Sequence, residues 1–289
     1  MMVPKLLENR HSIKKYQMQL IEDVIEISRI KEMMPNGVTQ PFRCLSFRGN
    51  EGIVKFENNR YGITVLLNEL IGCYVADLIG VPVPPYGVCH VAKDAVGLAD
   101  FGEEGFAEED FLGYGFYSSY IVNAIPLAER VLNVTANCDV NKIILLDCIL
   151  NNADRHDGNL LITMTNKSTL YAIDFSHIIS RDIPWNERKR QELFERDDTG
   201  MDFLRENDEV YSILFRHKSY SINNLKQEAN NIQQTILNSD FYNILNIIPE
   251  SWNRGKYKSL AEQIVEYIKT RTKKVDVFCQ AIIERRSIV

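Results

Sequence analysis

No apolar run in the 289-residue chain approaches the ~20 residues that a membrane-spanning helix needs, so no membrane partner is expected. There is no basic surplus either: 33 Lys and Arg against 39 Asp and Glu leave a net charge of −6. Nothing broad is available to neutralise a phosphate backbone, which argues against nucleic acid as a partner. The six cysteines (Cys44, Cys73, Cys89, Cys138, Cys148, Cys279) form no C-x-x-C pair and mostly sit among apolar neighbours. A cysteine-metal site is therefore not expected, and reduced thiols in a cytoplasmic protein are. The opening stretch, Met1 to Arg10, lacks the apolar core of a signal peptide. No internal repeat or low-complexity tract appears.

What is present is an ordinary globular composition, 45% hydrophobic and 25% charged, long enough for one large domain or two lobes. The most informative stretch runs from Asn141 to Ser180. An apolar run, Ile143 to Leu150, suits a buried helix end and leads into Asn151-Asn152-Ala153-Asp154-Arg155-His156-Asp157-Gly158-Asn159. Two β-rich runs follow, Leu160 to Thr163 and Thr169 to Ile173, with a polar turn around Asn166-Lys167-Ser168 between them. The second run ends in Asp174-Phe175-Ser176.

Phosphoryl transfer from ATP needs a carboxylate near the acceptor hydroxyl, together with an amide and a second carboxylate to hold Mg²⁺. Protein kinases place an Asp and an Asn five positions apart in one loop, then a metal-binding Asp after a short hairpin. Asp154 and Asn159 have that spacing, and Asp174 stands where the metal-binding Asp belongs. Hard oxygen ligands of this kind suit Mg²⁺.

Asp154-Arg155-His156-Asp157-Gly158-Asn159 with Ile173-Asp174-Phe175-Ser176 resembles the core of HipA-like kinases, known from bacterial toxin kinases. The same Asp-Arg-His-x-x-Asn followed by Ile-Asp-Phe is also similar to phosphoinositide lipid kinases. Ordinary protein kinases write His-Arg-Asp, the reverse order. The resemblance extends to Asn68-Glu69 and to Leu78-Ile79-Gly80-Val81-Pro82-Val83-Pro84. It implies an α+β, two-lobed protein-kinase-like fold: a small antiparallel β-sheet lobe with one helix, and a larger, mainly α-helical lobe. The expected lobes are residues 1–118, binding nucleotide, and 119–289, carrying the catalytic loop.

Upstream, residues 1–22 read as a helical lead-in, and Asp23 to Ile30 alternates as a strand. Phe42 to Phe47 and Ile53 to Phe56 add two strands, with a turn at Arg48 to Gly52. In a kinase the loop after the first strand covers the ATP phosphates. Here that loop is Met34 to Gln40, with Asn36, Gly37, Val38 and Thr39 as candidate contacts, although it matches no G-x-G-x-x-G. Lys55 lies on the third strand. Glu69 lies in a helix predicted over Ile63 to Ile79 by the repeat of Leu66, Leu67, Leu70, Ile71, Tyr74, Val75 and Leu78. A carboxylate between apolar neighbours needs a cation, and kinases pair the strand Lys with such a Glu. Lys55–Glu69 is the natural pair.

Tyr86 to Val91 reads as a fourth strand, and the Gly/Asp/Glu-rich residues 92–115 as an insertion. Phe116 to Val122 is β-rich; by position, Tyr120, Ile121 and Val122 would receive the adenine. Arg188-Lys189-Arg190, flanked by Glu187, Glu192 and Glu195, reads as a solvated helix face. Helices are predicted near 223–237, 240–247, 258–270 and 273–286.

The HipA-like resemblance implies transfer to a protein Ser or Thr, with an antitoxin or regulatory partner; Ser46 and Thr39 are candidates for self-modification. A phosphoinositide or small-molecule kinase is the enzyme alternative. A nucleotide-binding pseudokinase or regulatory binding module is the other, against which the presence of Lys55, Asp154, Asn159 and Asp174 counts.

Overall fold

A computed structural model describes residues 18–35, 39–135, 138–165, 168–183, 185–195, 204 and 207–286. Five strands close into a barrel: β1 (Leu20–Met33), β2 (Phe42–Ser46), β3 (Glu51–Phe56), β4 (Tyr86–Val96) and β5 (Gly113–Ser119), in the order β1-β2-β3-β5-β4. Alternation decides which side of each strand faces in. In β2, Phe42, Cys44 and Ser46 are buried while Arg43 and Leu45 remain half-exposed. Phe42 and Cys44 join Ile27, Ile30, Val54, Phe56, Cys89, Val91 and Tyr117 in one apolar cluster. Gly52 is required on β3, because a Cβ there would lie 2.0 Å from the Tyr117 ring.

Two expectations are corrected here. Residues 20–22 belong to β1 rather than to a helical lead-in, while residues 1–17 lie outside the described residues. The barrel is also not wholly antiparallel: β1 pairs in parallel with β4, from Leu20↔Tyr86 to Arg29↔Val96. That pairing closes the sheet and removes its two edges. It links segments some 65 positions apart, which no local pattern reports.

The stretch between β4 and β5 is also more ordered than its loop-like composition suggests. β4 continues to Val96, two short 3₁₀ turns follow, and β5 begins at Gly113. Phe101, Phe106 and Phe111 from this segment surround Phe42, with ring centroids 5.0, 5.2 and 5.1 Å away and near-perpendicular planes. The insertion supplies part of the barrel's own core. Edge-to-face contacts of this kind add to the area buried.

Outside the barrel run α1 (Ile63–Leu78), α2 (Glu129–Leu132), α3 (Val140–Leu150), α4 (Glu187–Glu195), α5 (Asp208–Arg216), α6 (Ile222–Asn238), α7 (Tyr242–Asn246), α8 (Leu260–Thr272) and α9 (Val275–Arg286). A second sheet, β6 (Ala124–Pro126), β7 (Leu160–Thr163) and β8 (Leu170–Ala172), accompanies them. The last four helices match the predicted ones to within two residues at every end. α1 is buried from Ile63 to Asp77 because barrel strands β4 and β5 cover one side and α3 and α8 the other. Glu57, just past β3, ties barrel to helices: its Oε2 accepts from Trp252 Nε1 at 3.0 Å and Ser251 Oγ at 3.1 Å.

The cysteines follow the sequence reading. All six are free thiols, five of them buried, and burial pushes Cys138 up to about 12 and Cys279 up to about 11. Such thiols are poor nucleophiles.

Candidate active site

β3 turns Lys55 outward from the barrel and towards α1. There its Nζ meets Glu69 of α1, Asp174 Oδ1 at 3.1 Å and Ser176 Oγ at 2.8 Å. Glu69 reaches further: its Oε2 accepts from the Phe175 amide at 2.9 Å, and its Oε1 lies 2.8 Å from Ser176 Oγ. Ser176 Oγ is also 2.6 Å from Asp174 Oδ1. Its single hydrogen is shared between two carboxylates while its lone pair takes the ammonium. Three stretches distant in sequence therefore converge on one charged cluster.

Backbone conformation and packing aim this cluster. Asp174 has φ 54°, a left-handed backbone that Asp tolerates better than most residues. Phe175 behind it is fully buried against Gly72, where a Cβ would come within 2.5 Å of the Phe175 Cβ. Asn68 Nδ2 donates to the Ser176 carbonyl at 2.7 Å. Burial alone would depress the Lys55 ammonium, but the Asp174 and Glu69 charges outweigh it and hold it above the ordinary lysine value. For Asp174, burial is outweighed by Lys55 and the Ser176 hydroxyl, so its carboxyl is held well below the usual range. Burial pushes Glu69 up, and Lys55 only partly reverses this. Asp174 is thus the firmly ionised member, with its side chain about a quarter exposed (26%).

The second half of the site hangs from a fully buried ion pair. Arg155 Nε lies 3.2 and 3.1 Å from the two oxygens of Asp147, and Nη2 2.9 Å from Oδ1. Asp147 also accepts from Asn152 Nδ2 and Tyr211 Oη, both at 3.0 Å. The far side of Arg155 is used too: Nη1 donates to the carbonyls of Asn159 and Ile173, each at 2.9 Å. One side chain thus fixes the Asp154–Asn159 loop against the strand that delivers Asp174. Within the loop, Asn159 Nδ2 donates to the Asp154 carbonyl at 2.8 Å. That bond uses the amide nitrogen and keeps its oxygen, the atom a hard cation prefers, for another partner.

The remaining predicted residues divide. Asn36, Gly37 and Val38 lie outside the described residues. Thr39 is described but only 3% exposed, as is Ser46, whose Oγ accepts from the Asn50 amide. Neither hydroxyl can reach an active site without local unfolding, so both are withdrawn as self-modification candidates. Tyr120, Ile121 and Val122 lie between β5 and β6, and the Tyr120 amide is committed to the Glu51 carbonyl at 3.0 Å. His156 Nδ1 accepts from the Gly158 amide at 3.1 Å and shapes the loop. His177 Nδ1 lies 3.1 Å from the Arg181 carbonyl.

Sequence reasoning missed Asp147, Ser176 and Arg181. Arg181 sets Nε and Nη2 on the carbonyl of Ala153, at 3.1 and 2.5 Å, directly beside Asp154. Asp147 carried a usable signal: a carboxylate inside Ile-Ile-Leu-Leu-Asp-Cys-Ile-Leu has to be paired if that run is buried. Ser176 stands in the Ile173-Asp174-Phe175-Ser176 motif without a role that the sequence assigns, and nothing local marks Arg181.

Comparison with curated proteins gives no match. Among solved structures, the chain is similar to the Golgi casein kinase with Mn/ADP bound: TM-score 0.46, 11% identity, covering 89% of this chain and 73% of that one. A second structure of the Golgi casein kinase gives TM-score 0.47 and 12% identity over 92% and 76% of the two chains. The Rio2 kinase-ADP/Mg²⁺-phosphoaspartate complex from Chaetomium thermophilum gives TM-score 0.40 and 14% identity over 86% and 72%. Residues 27–278 match the family described as HipA-like kinase, a span that takes in most of the barrel, the Lys55 cluster and the Asp154–Asn159 loop. The chain belongs to the HipA-like kinase family.

Proposed function

We propose that this chain is an ATP- and Mg²⁺-dependent phosphotransferase acting on Ser or Thr hydroxyls of a protein, with lobes meeting near residues 118 and 119. The observation that carries the reading is the convergence of Lys55, Glu69 and Asp174 on one cluster, with the Asp154–Asn159 loop tied to it through Arg155. Lys55, braced by Glu69, contacts the nucleotide phosphates. Asp154 orients the acceptor hydroxyl and takes its proton.

Donor chemistry supports the metal. Asn159 and Asp174 would hold Mg²⁺: one is an amide whose nitrogen is already spent, the other an ionised, partly exposed carboxylate. Among the described residues no group of three His, Cys, Asp or Glu forms a closed cage. Two protein oxygens suit an ion that takes its remaining ligands from phosphates and water. When bound, the ion supplies charge neutralisation on the phosphate oxygens.

A protein acceptor is favoured over an inositol lipid by the state of the longest unbroken basic run. Arg188 pairs with Glu192 at 3.0 Å, Lys189 with Asp182 at 3.8 Å, and Arg190 donates to the Lys256 carbonyl at 2.9 Å. Even unengaged, three cations would contribute only about 3 kcal/mol at an anionic leaflet. Incubation with γ-labelled ATP and Mg²⁺, beside either a cell lysate or anionic inositol-lipid vesicles, tests this. Label on protein Ser and Thr is the expected result. Label on lipid alone would transfer the chain to the lipid-kinase reading, and label nowhere, with nucleotide bound, to the pseudokinase one.

A further inference from the structure

Strand register shows what lies along the barrel face that carries Lys55. Arg43 is paired with Ile53, and Leu45 with Glu51, so these four share a face with Lys55 two residues beyond Ile53. Gly52 is paired with Ser119, which places Tyr120 beside Glu51 at the far end of the same face. From Lys55 to Glu51 is four residues, roughly 13 Å of strand, the reach of a nucleotide from phosphate to base. Lys55 is buried, whereas Arg43, Leu45, Ile53 and Tyr120 are all half-exposed. Protein covers the phosphate end of this face and leaves the other end partly exposed.

At the partly exposed end Arg43 reaches across β3. Its guanidinium carbon lies 4.1 Å above the centroid of the Tyr120 ring. Its edge is held by two carboxylates, Nε to Glu51 Oε2 at 2.9 Å and Nη1 to Glu32 Oε1 at 2.9 Å. The two acids compensate its charge, which makes it a poor phosphate ligand. They also hold the guanidinium over the tyrosine ring, with a quarter of the side chain still exposed. A flat, neutralised guanidinium on an aromatic ring is a stacking platform for another flat group.

We propose that Arg43, stacked on Tyr120 and fixed by Glu51 and Glu32, is the platform on which the nucleobase lies, and so determines affinity for nucleoside phosphates over bare polyphosphate. This rests on the nucleotide-binding reading above. The test is calorimetric titration of the full chain with ADP and, separately, with tripolyphosphate, alongside thermal melting of each protein. Arg43→Ala should weaken ADP binding about 10-fold, within the range seen when a base loses its stacking partner, and leave tripolyphosphate binding unchanged. Arg43→Lys keeps the charge and its acidic partners but lacks the plane; it should show most of the same loss, and it serves if Arg43→Ala does not fold. Tyr120→Ala should weaken ADP binding similarly, and Tyr120→Phe should not. Unchanged ADP affinity in Arg43→Ala or Arg43→Lys overturns the proposal, as does an equal loss for both ligands. Wild type that binds neither ligand would instead refute the nucleotide site itself.

Discussion

Removing the Arg155 guanidinium is the sharpest test of how the site is built. Arg155→Met leaves a side chain of similar length but strands Asp147, fully buried, with only Asn152 and Tyr211 as partners. Breaking one side of a buried pair costs about 3–5 kcal/mol, because the surviving charge stays out of water. Unfolding entropy of about 2.1 cal/mol/K per residue gives roughly 0.6 kcal/mol/K for a chain of 289 residues. The melting temperature should therefore fall by about 5–8 °C. Replacing both partners, Asp147→Leu with Arg155→Met, removes the stranded charge and should recover part of the loss. Recovery is incomplete because the Asn152 amide and the Tyr211 hydroxyl each lose an acceptor, at about 1–3 kcal/mol apiece. Thermal and urea unfolding of the single and double variants would show it. A single variant within about 1 kcal/mol of wild type would refute the idea that this pair carries the loop.

Lys55→Ala should lower phosphotransfer on the order of 10²-fold, with Glu69→Ala less harmful, and the double variant no worse than Lys55→Ala because the two act as one unit. Strictly additive losses in steady-state rates would show that they act separately. Phe111→Ala should cost about 3–5 kcal/mol in urea unfolding, since its ring packs on Phe42 and Phe56 at 5.1 and 5.2 Å; a change under about 1 kcal/mol would mean the insertion does not fill the barrel. Asp174 is held below the usual carboxylate range, so its stabilising contribution is present above the unfolded value of about 4 and is lost as pH falls through the folded one. The stability gap between wild type and Asp174→Asn should accordingly be widest near neutrality and close in acid; a gap that widens in acid would contradict the sign.

Features legible in the sequence had local signatures. The Asp154, Asn159 and Asp174 spacing needs only a loop and a hairpin, and β7 and β8 supply the hairpin. Lys55 and Glu69, adjacent strand and helix residues, were readable because a buried carboxylate demands a cation, and the structure joins them. The C-terminal helices lie where they are predicted. The parallel β1–β4 seam was not legible because closure is a property of the whole sheet. β1 also has register shifts between Ile27 and Arg29 and between Ile30 and Glu32 that interrupt its alternation, so the pattern in the sequence did not show that the strand runs on to Met33. The phenylalanines of the insertion were hidden by glycine and glutamate around them, although Phe101, Phe106 and Phe111 recur every five residues. Ser176 and the Arg43–Tyr120 stack depend on side chains brought together from separate strands and loops.

The most direct measurement compares wild type, Asp154→Asn and Asp174→Asn for ADP binding with and without Mg²⁺ by calorimetry, and for transfer of γ-phosphate to protein. Asp154→Asn should bind nucleotide like wild type and transfer at least 100-fold more slowly, as for a lost general base. Asp174→Asn should lose the Mg²⁺-dependent part of binding and with it the transfer. Undiminished transfer by Asp154→Asn, or unchanged Mg²⁺ dependence in Asp174→Asn, would contradict the assignment of a phosphotransfer site to this loop and strand.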